Sequence, residues 1–108
     1  MIDELTKNIT QELINDIKFQ YSDFIGLYLF GSRARGDSNI YSDYDIAFVF
    51  KEKIDFFKKR EIRSIICKIM LKYNVIIDNP FLNNENLLYP DTPLIENILK
   101  EGIFFEAA

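Results

Sequence analysis

Two short stretches hold the side chains best suited to chemistry, Gly31-Ser32-Arg33-Ala34-Arg35-Gly36-Asp37 and Ser42-Asp43-Tyr44-Asp45. An apolar run, Phe24 to Phe30, stops where the first begins, and a second run, Tyr44 to Phe50, contains the end of the other. Side chains alternate faces along a strand, so on a strand starting near Asp43 the carboxylates of Asp43 and Asp45 share a face, about 6.5–7 Å apart at the backbone. Ala47 and Val49 continue that face, and Tyr44, Ile46, Phe48 and Phe50 form the other. Like charges side by side repel unless a cation lies between them. Hard oxygen ligands at this spacing suit Mg²⁺, which commonly takes one or two carboxylates plus substrate phosphates. Two such ions roughly 3.5–4 Å apart stabilise both the attacking and the leaving oxygen of an in-line displacement at phosphorus.

Gly31 follows the first run directly, where a missing side chain lets backbone approach a ligand closely. Ser32 adds a small hydroxyl, and N–H groups exposed in such a turn favour phosphate oxygens. Gly31 and Gly36 have the spacing of a P-loop, but Asp37 stands where that motif needs its phosphate-binding lysine, so the P-loop is rejected. Arg33 and Arg35 have the reach to meet a phosphate or an acidic group on a partner; as solvated neighbours of Asp37 and Asp43 they would contribute little. Gly36-Asp37-Ser38-Asn39 is turn chemistry and needs no catalytic role.

These residues need elements to hold them. Ile2 to Tyr21 reads as an amphipathic helix, with Leu5, Ile9, Leu13 and Ile17 at helical spacing and Ile14 widening the stripe; that stripe is expected against the sheet. Phe24 to Phe30 is apolar on both faces, as in a covered strand, and Tyr28 is expected in the core with its hydroxyl at an edge. The turn and a short helix occupy 31–41. Asp55 can cap a helix reaching about Lys72, with Ile62, Ile65, Ile66, Ile69 and Tyr73 as its apolar stripe. Lys58-Lys59-Arg60 reads as a solvated face, and Cys67 as a small buried hydrophobe. Val75 to Asp78 reads as a strand that Asn79-Pro80 ends, since proline removes a ladder donor. Phe81 to Tyr89 is asparagine-rich and reads as a loop or partly helical connection. Thr92-Pro93 starts a last helix, which buries Leu94, Ile95, Ile98 and Leu99 and stops at Gly102. Ile103 to Glu106 forms a short strand or extended tail.

The bulk properties narrow the class. A chain of 108 residues is one domain with room for a core, so the whole of 1–108 is taken as a single unit. A net charge of −4 argues against direct nucleic-acid binding, which usually needs a basic face, while leaving room for a basic protein partner. One cysteine and no histidine exclude an internal disulfide, a Cys/His zinc site and a histidine-based triad. The start, Met1-Ile2-Asp3-Glu4, lacks an apolar signal core, and no run approaches a membrane span. The cytoplasm is therefore expected.

The string Gly-Ser-Arg-Ala-Arg-Gly-Asp followed by Ser-Asp-Tyr-Asp-Ile resembles the signature of the polymerase-β-like nucleotidyltransferase superfamily, and within it the minimal nucleotidyltransferase (MNT) proteins. The likeness spans the first helix, both strands, the next helix and the closing Thr92-Pro93-Leu94 to Gly102 segment. It implies an α/β fold: a mixed, twisted sheet with helices mainly on one side. It implies an Mg²⁺-dependent transfer of AMP from ATP, with Gly31, Ser32, Arg33, Arg35 and Ser42 around the nucleotide and Asp43 and Asp45 holding two ions. It also implies a third carboxylate from a neighbouring strand. Asp78 is the only acid in its strand and comes in the expected order, although Asn79-Pro80 follows where relatives continue with apolar residues; pairing with the turn at the strand's end is the other reading. MNT proteins are paired with HEPN-domain RNases in toxin–antitoxin modules, so the resemblance implies an antitoxin that adenylylates a tyrosine of a HEPN toxin. A non-catalytic antitoxin that masks the toxin, and a small-molecule (antibiotic) nucleotidyltransferase, are the alternatives.

Overall fold

The computed structural model describes residues 2–107. Its elements run α1 (Glu4–Gln20), β1 (Phe24–Phe30), α2 (Ser32–Arg35), β2 (Tyr44–Phe50), α3 (Phe56–Tyr73), β3 (Ile77–Asp78), β4 (Phe81–Asn83), α4 (Asn84–Leu88), α5 (Pro93–Glu101) and β5 (Ile103–Glu106). Five strands form one mixed sheet in the order β3-β2-β1-β5, with β4 also paired to β2. β1 is antiparallel to β2 and β5. β3 and β4 run parallel to β2, a pairing that requires a crossover; α3 supplies it.

Caps set most helix boundaries. Asp3 accepts from the Thr6 amide at 2.8 Å, Asp55 from the Lys58 amide at 2.8 Å and Thr92 from the Ile95 amide at 3.2 Å, with Pro93 in the first turn. Each side-chain oxygen satisfies an amide that the helix cannot. Asn74 closes α3 in the left-handed conformation.

α1 and α3 pack on one face of the sheet. Ile9, Leu13, Ile14 and Ile17 meet Tyr44, Ile46, Phe48 and Phe50, with Ile62, Ile65, Ile66 and Ile69 from α3 in the same cluster. Glu12 ties the helices together, accepting from Lys72 Nζ at 2.8 Å and from the Tyr73 hydroxyl at 2.9 Å. The other face carries a smaller cluster, Phe30, Ala47, Val49 and Leu82 under Ile95 and Ile98 of α5. The long helices therefore share one side and the nine-residue α5 partly covers the other. Among the described residues no helix is long and apolar enough to cross a membrane.

Several expectations need correcting. The segment after Asn79-Pro80 is not all connection: Phe81–Asn83 rejoins β2 as β4. Tyr44 pairs with Ile77 and Phe48 with Phe81, so the register survives the gap. Pro80 has no N–H to give the ladder, but its carbonyl accepts from the Phe48 amide at 2.9 Å, which keeps the chain in place. Asn83 and Asn86 then form a reciprocal capping box that starts α4. Val75 and Ile76 precede the strand instead of belonging to it. Cys67 is exposed, because it sits one residue past Ile66 and so turns off the buried stripe. Leu5 and Leu94 are partly exposed, and Thr6 and Thr10 are buried in α1. The Thr10 hydroxyl donates to the Thr6 carbonyl at 2.9 Å, so its burial leaves no donor unpaired. Tyr28 is only half-buried, its ring lying 4.9 Å from that of Phe104.

Candidate active site

The carboxylates meet at one end of the sheet. Asp45 lies beside Phe30 of β1 on one flank and beside Asp78 of β3 on the other. Residues in register across a sheet share a face, so Asp45 and Asp78 point the same way. Asp43, two residues before Asp45, belongs to that side by alternation. Asp43 and Asp78 are exposed and Asp45 is half-buried.

Gly31 sits directly against this group. It adopts φ +70°, and a β-carbon built there would overlap Asp45 Oδ2. Only glycine tolerates both the left-handed backbone and the close approach. α2 then turns back, with the Ala34 and Arg35 amides bonded to the Gly31 carbonyl at 3.1 Å each. The amides of Ser32 and Arg33, at the front of that turn, have no carbonyl ahead of them inside the helix. Gly36 ends the turn in the left-handed conformation.

Burial pushes the Asp45 carboxyl above the usual aspartate range, and the negative charges of Asp78 and Asp43 push it further; Arg35 opposes this weakly. Arg35 therefore offsets the charge of Asp45's neighbours only in part. Among the described residues no three His, Cys, Asp or Glu side chains stand ready-made as a metal cage. Mg²⁺ does not require one, since substrate phosphates complete its shell. Asp45, repelled by Asp78 in register beside it and by Asp43, offers with them the hard carboxylate oxygens that a divalent cation takes.

The other residues expected at the site divide. Ser32 opens α2 directly after Gly31, its carbonyl accepting from the Gly36 amide at 3.0 Å. Ser42 is engaged in the turn, its Oγ accepting from the Asn39 amide at 3.0 Å. Arg35 pairs with Asp37 at 3.1 Å and with Glu101 of α5 at 3.2 Å, all at the surface. Arg33 goes to the opposite face: its guanidinium lies 4.2 Å from the centre of the Tyr44 ring and donates to the Ser42 carbonyl at 2.8 Å. The structure thus brings Gly31, Asp43, Asp45 and Asp78 together, while Arg33 lines an open pocket with Ser42 and Asp43 on the Tyr44 side and Arg35 is held by Asp37 and Glu101. Beside Asp78 runs an open groove of about 330 Å³, lined by Phe30, Asn79 and Pro80 with Arg63 of α3 and Leu94 of α5. Arg63 was not singled out in the sequence, and Leu94 only as part of the buried face of the last helix. The one available signal was Leu94, an apolar residue at the very start of a helix.

A strand that ends in a glycine–serine turn, beside a strand opening on two aspartates, defines the nucleotidyltransferase class. The family description "Polymerase beta, Nucleotidyltransferase" matches residues 11–105, and the chain belongs to that family. Three Methanocaldococcus jannaschii proteins, each named a "putative protein adenylyltransferase", are similar to it. The first is 34% identical over 95 residues, which is 85% of this chain and 89% of the relative. Another is 30% identical over 96 residues, covering 88% and 93%. Among solved structures, a Sulfolobus solfataricus protein described as a "putative nucleotidyltransferase" superposes with TM-score 0.62 at 24% identity, covering 91% of this chain and 77% of that one. A chain of a toxin–antitoxin complex with AMP-PNP gives TM-score 0.65 at 21% identity, covering 88% and 70%. A complex of tri-AMPylated Shewanella oneidensis HEPN toxin with MNT antitoxin gives 0.60 at 18%, covering 91% and 69%. These likenesses establish the shared mixed α/β fold.

Proposed function

We propose that this protein transfers AMP from ATP to a tyrosine hydroxyl of a HEPN-domain toxin and thereby acts as its antitoxin. The observation that carries the chemistry is the pairing of Asp45 with Asp78 directly beside Gly31. The protein acceptor is supported by the adenylyltransferase names of the relatives and by the toxin–antitoxin complexes among the structural neighbours. The reaction belongs in the cytoplasm, where ATP is abundant, and needs no direct contact with nucleic acid.

In this reading the Gly31–Ser32 turn receives the triphosphate tail with its free amides and the Ser32 hydroxyl. Asp43, Asp45 and Asp78 would hold two Mg²⁺ ions, which would supply a lowered pKa for the attacking hydroxyl and charge neutralisation for the phosphates. Asp78 is exposed beside the groove and accepts the acceptor's proton. The acceptor oxygen forms a bond to the α-phosphorus, the bond from that phosphorus to the bridging oxygen breaks, and pyrophosphate leaves with the electron pair.

The test incubates the protein with Mg²⁺, a HEPN-domain protein and ATP labelled at the α-phosphate. Label and one AMP mass should appear on a tyrosine of the HEPN protein, and the Asp43→Asn/Asp45→Asn double variant should transfer none while still binding it. Unchanged toxin neutralisation by that variant would instead identify a masking antitoxin. Label on an aminoglycoside, with none on protein, would identify an antibiotic-modifying enzyme.

A further inference from the structure

Arg33 of the glycine–serine turn sends its guanidinium to the Tyr44 side of the sheet, where it lines an open pocket with Ser42 and Asp43. Its Nη2 donates to the Ser42 carbonyl at 2.8 Å, and its Cζ stands 4.2 Å over the Tyr44 ring. Its Nε is buried with no hydrogen-bond partner. The Tyr44 ring is fully buried, and its hydroxyl meets Thr6 Oγ1 of α1 at 3.2 Å. A guanidinium donates in a fixed plane and stacks on aromatic faces, which an ammonium cannot do in the same way. Burying a donor of a charged group without a partner costs free energy, so this placement needs a return beyond packing.

We infer that Arg33 is a positioning residue for the aspartate pair, and not a ligand of the nucleotide. The inference rests on the nucleotidyl-transfer reading above. Arg33 follows Ser32 in the phosphate-binding turn, and Ser42 precedes Asp43. One side chain thus fixes the distance between the turn and the carboxylates, across a loop that would otherwise set it through 36–41. Tyr44 and Asp45 are consecutive and face opposite ways, so a guanidinium locked on the Tyr44 ring also holds the strand from which Asp45 projects. Displacements of about 1 Å at such a centre cost on the order of 100-fold in rate. Groups that orient metal ligands from behind typically contribute about 10- to 100-fold.

Three measurements test this. In steady-state kinetics, Arg33→Met and Arg33→Lys should lower kcat by about 10- to 100-fold with KM for ATP nearly unchanged, lysine recovering little because it cannot stack and bond in one plane. A large rise in KM with kcat retained, or wild-type values for both, would overturn the inference. Circular dichroism melting establishes that each variant is folded. A second measurement needs no variant: in ¹⁵N spectra of the wild type, saturating AMP-PNP with Mg²⁺ should move the Gly31 and Ser32 amides and leave the Arg33 Nε–H resonance in place. An Arg33 shift as large as theirs would mean direct phosphate contact and overturn the inference. The third separates this inference from the transfer reading. If the wild type transfers no AMP, that reading fails, while Arg33→Lys must still shift the Ser42 and Asp43 amides and spare that of Val49 for the tie to stand.

Discussion

The two faces of β2 are built from alternate residues of one seven-residue strand, yet they do opposite things. Tyr44, Ile46, Phe48 and Phe50 are fully buried under α1 and α3. Asp45 on the other face is half-buried beside Asp78, and only Ala47 and Val49 behind it join a small apolar cluster. One face stabilises the fold, and the other holds charges that oppose it. The arrangement works because the dry face is large enough to tolerate the strain at the wet end. Asp45 is raised above its ordinary pKa by burial and like charge, and pKa values displaced in this way cluster at functional sites.

The largest effect should come from the dry face. Phe48 is fully buried and its ring contacts those of Phe24 and Phe81. Phe48→Ala should destabilise by about 3–5 kcal/mol, a large share of the roughly 5–15 kcal/mol typical of a domain. Chemical denaturation should show the midpoint falling with the m-value retained. A loss under about 1 kcal/mol would mean that this face is not the core that positions the site.

The opposite face should respond with opposite signs in two assays. Asp45→Asn should lower AMP transfer by about 10²- to 10³-fold, comparable to the loss of one electrostatic stabiliser of a transition state. The same substitution should raise the metal-free melting temperature, because it removes the repulsion from Asp78 and Asp43. A variant that loses activity and stability together would show Asp45 to be a structural residue, and the contrast between the faces would fail.

That contrast was partly legible beforehand. The runs Phe24–Phe30 and Tyr44–Phe50 give β1 and β2 with their bounds, because apolar residues stop where the turn residues begin. Caps at Asp55 and Thr92 were equally plain, since each rests on a local side-chain oxygen. The site's acids could be placed on one face by alternation alone, but the pairing of Asp45 with Asp78 depends on a register set through α3, across a separation that no local pattern records. β4 was hidden because Asn79-Pro80 carries the signal of a strand's end while the chain on either side keeps its register. The direction of Arg33 was hidden for a related reason: residues on a turn do not alternate like a strand, so spacing alone does not tell which face Arg33 takes.

The smallest effect is a slope of stability with pH, and its sign isolates the wet face. An ordinary aspartate titrates near 3.9, and Asp45 in the folded protein titrates higher. Between those values the folded state binds more protons than the unfolded one, so stability must fall as pH rises through that window. Two other acids act in the opposite direction. Asp3 is held low by hydrogen bonds from Thr6, and Glu12 by hydrogen bonds from Lys72 and Tyr73. Their contributions are present above the ordinary carboxylate values and are lost as pH falls through their lowered ones. The raw profile therefore mixes both signs, and the quantity to measure is wild type minus Asp45→Asn. In metal-free buffer that difference should become less favourable to the wild type from about pH 4 upward and then level off. Added Mg²⁺ should flatten or reverse it, since a bound cation favours the ionised carboxylate. A difference that rises with pH without metal would mean that Asp45 already has a cationic partner in the folded chain, and the donor set would then have no vacancy of charge for Mg²⁺ to fill.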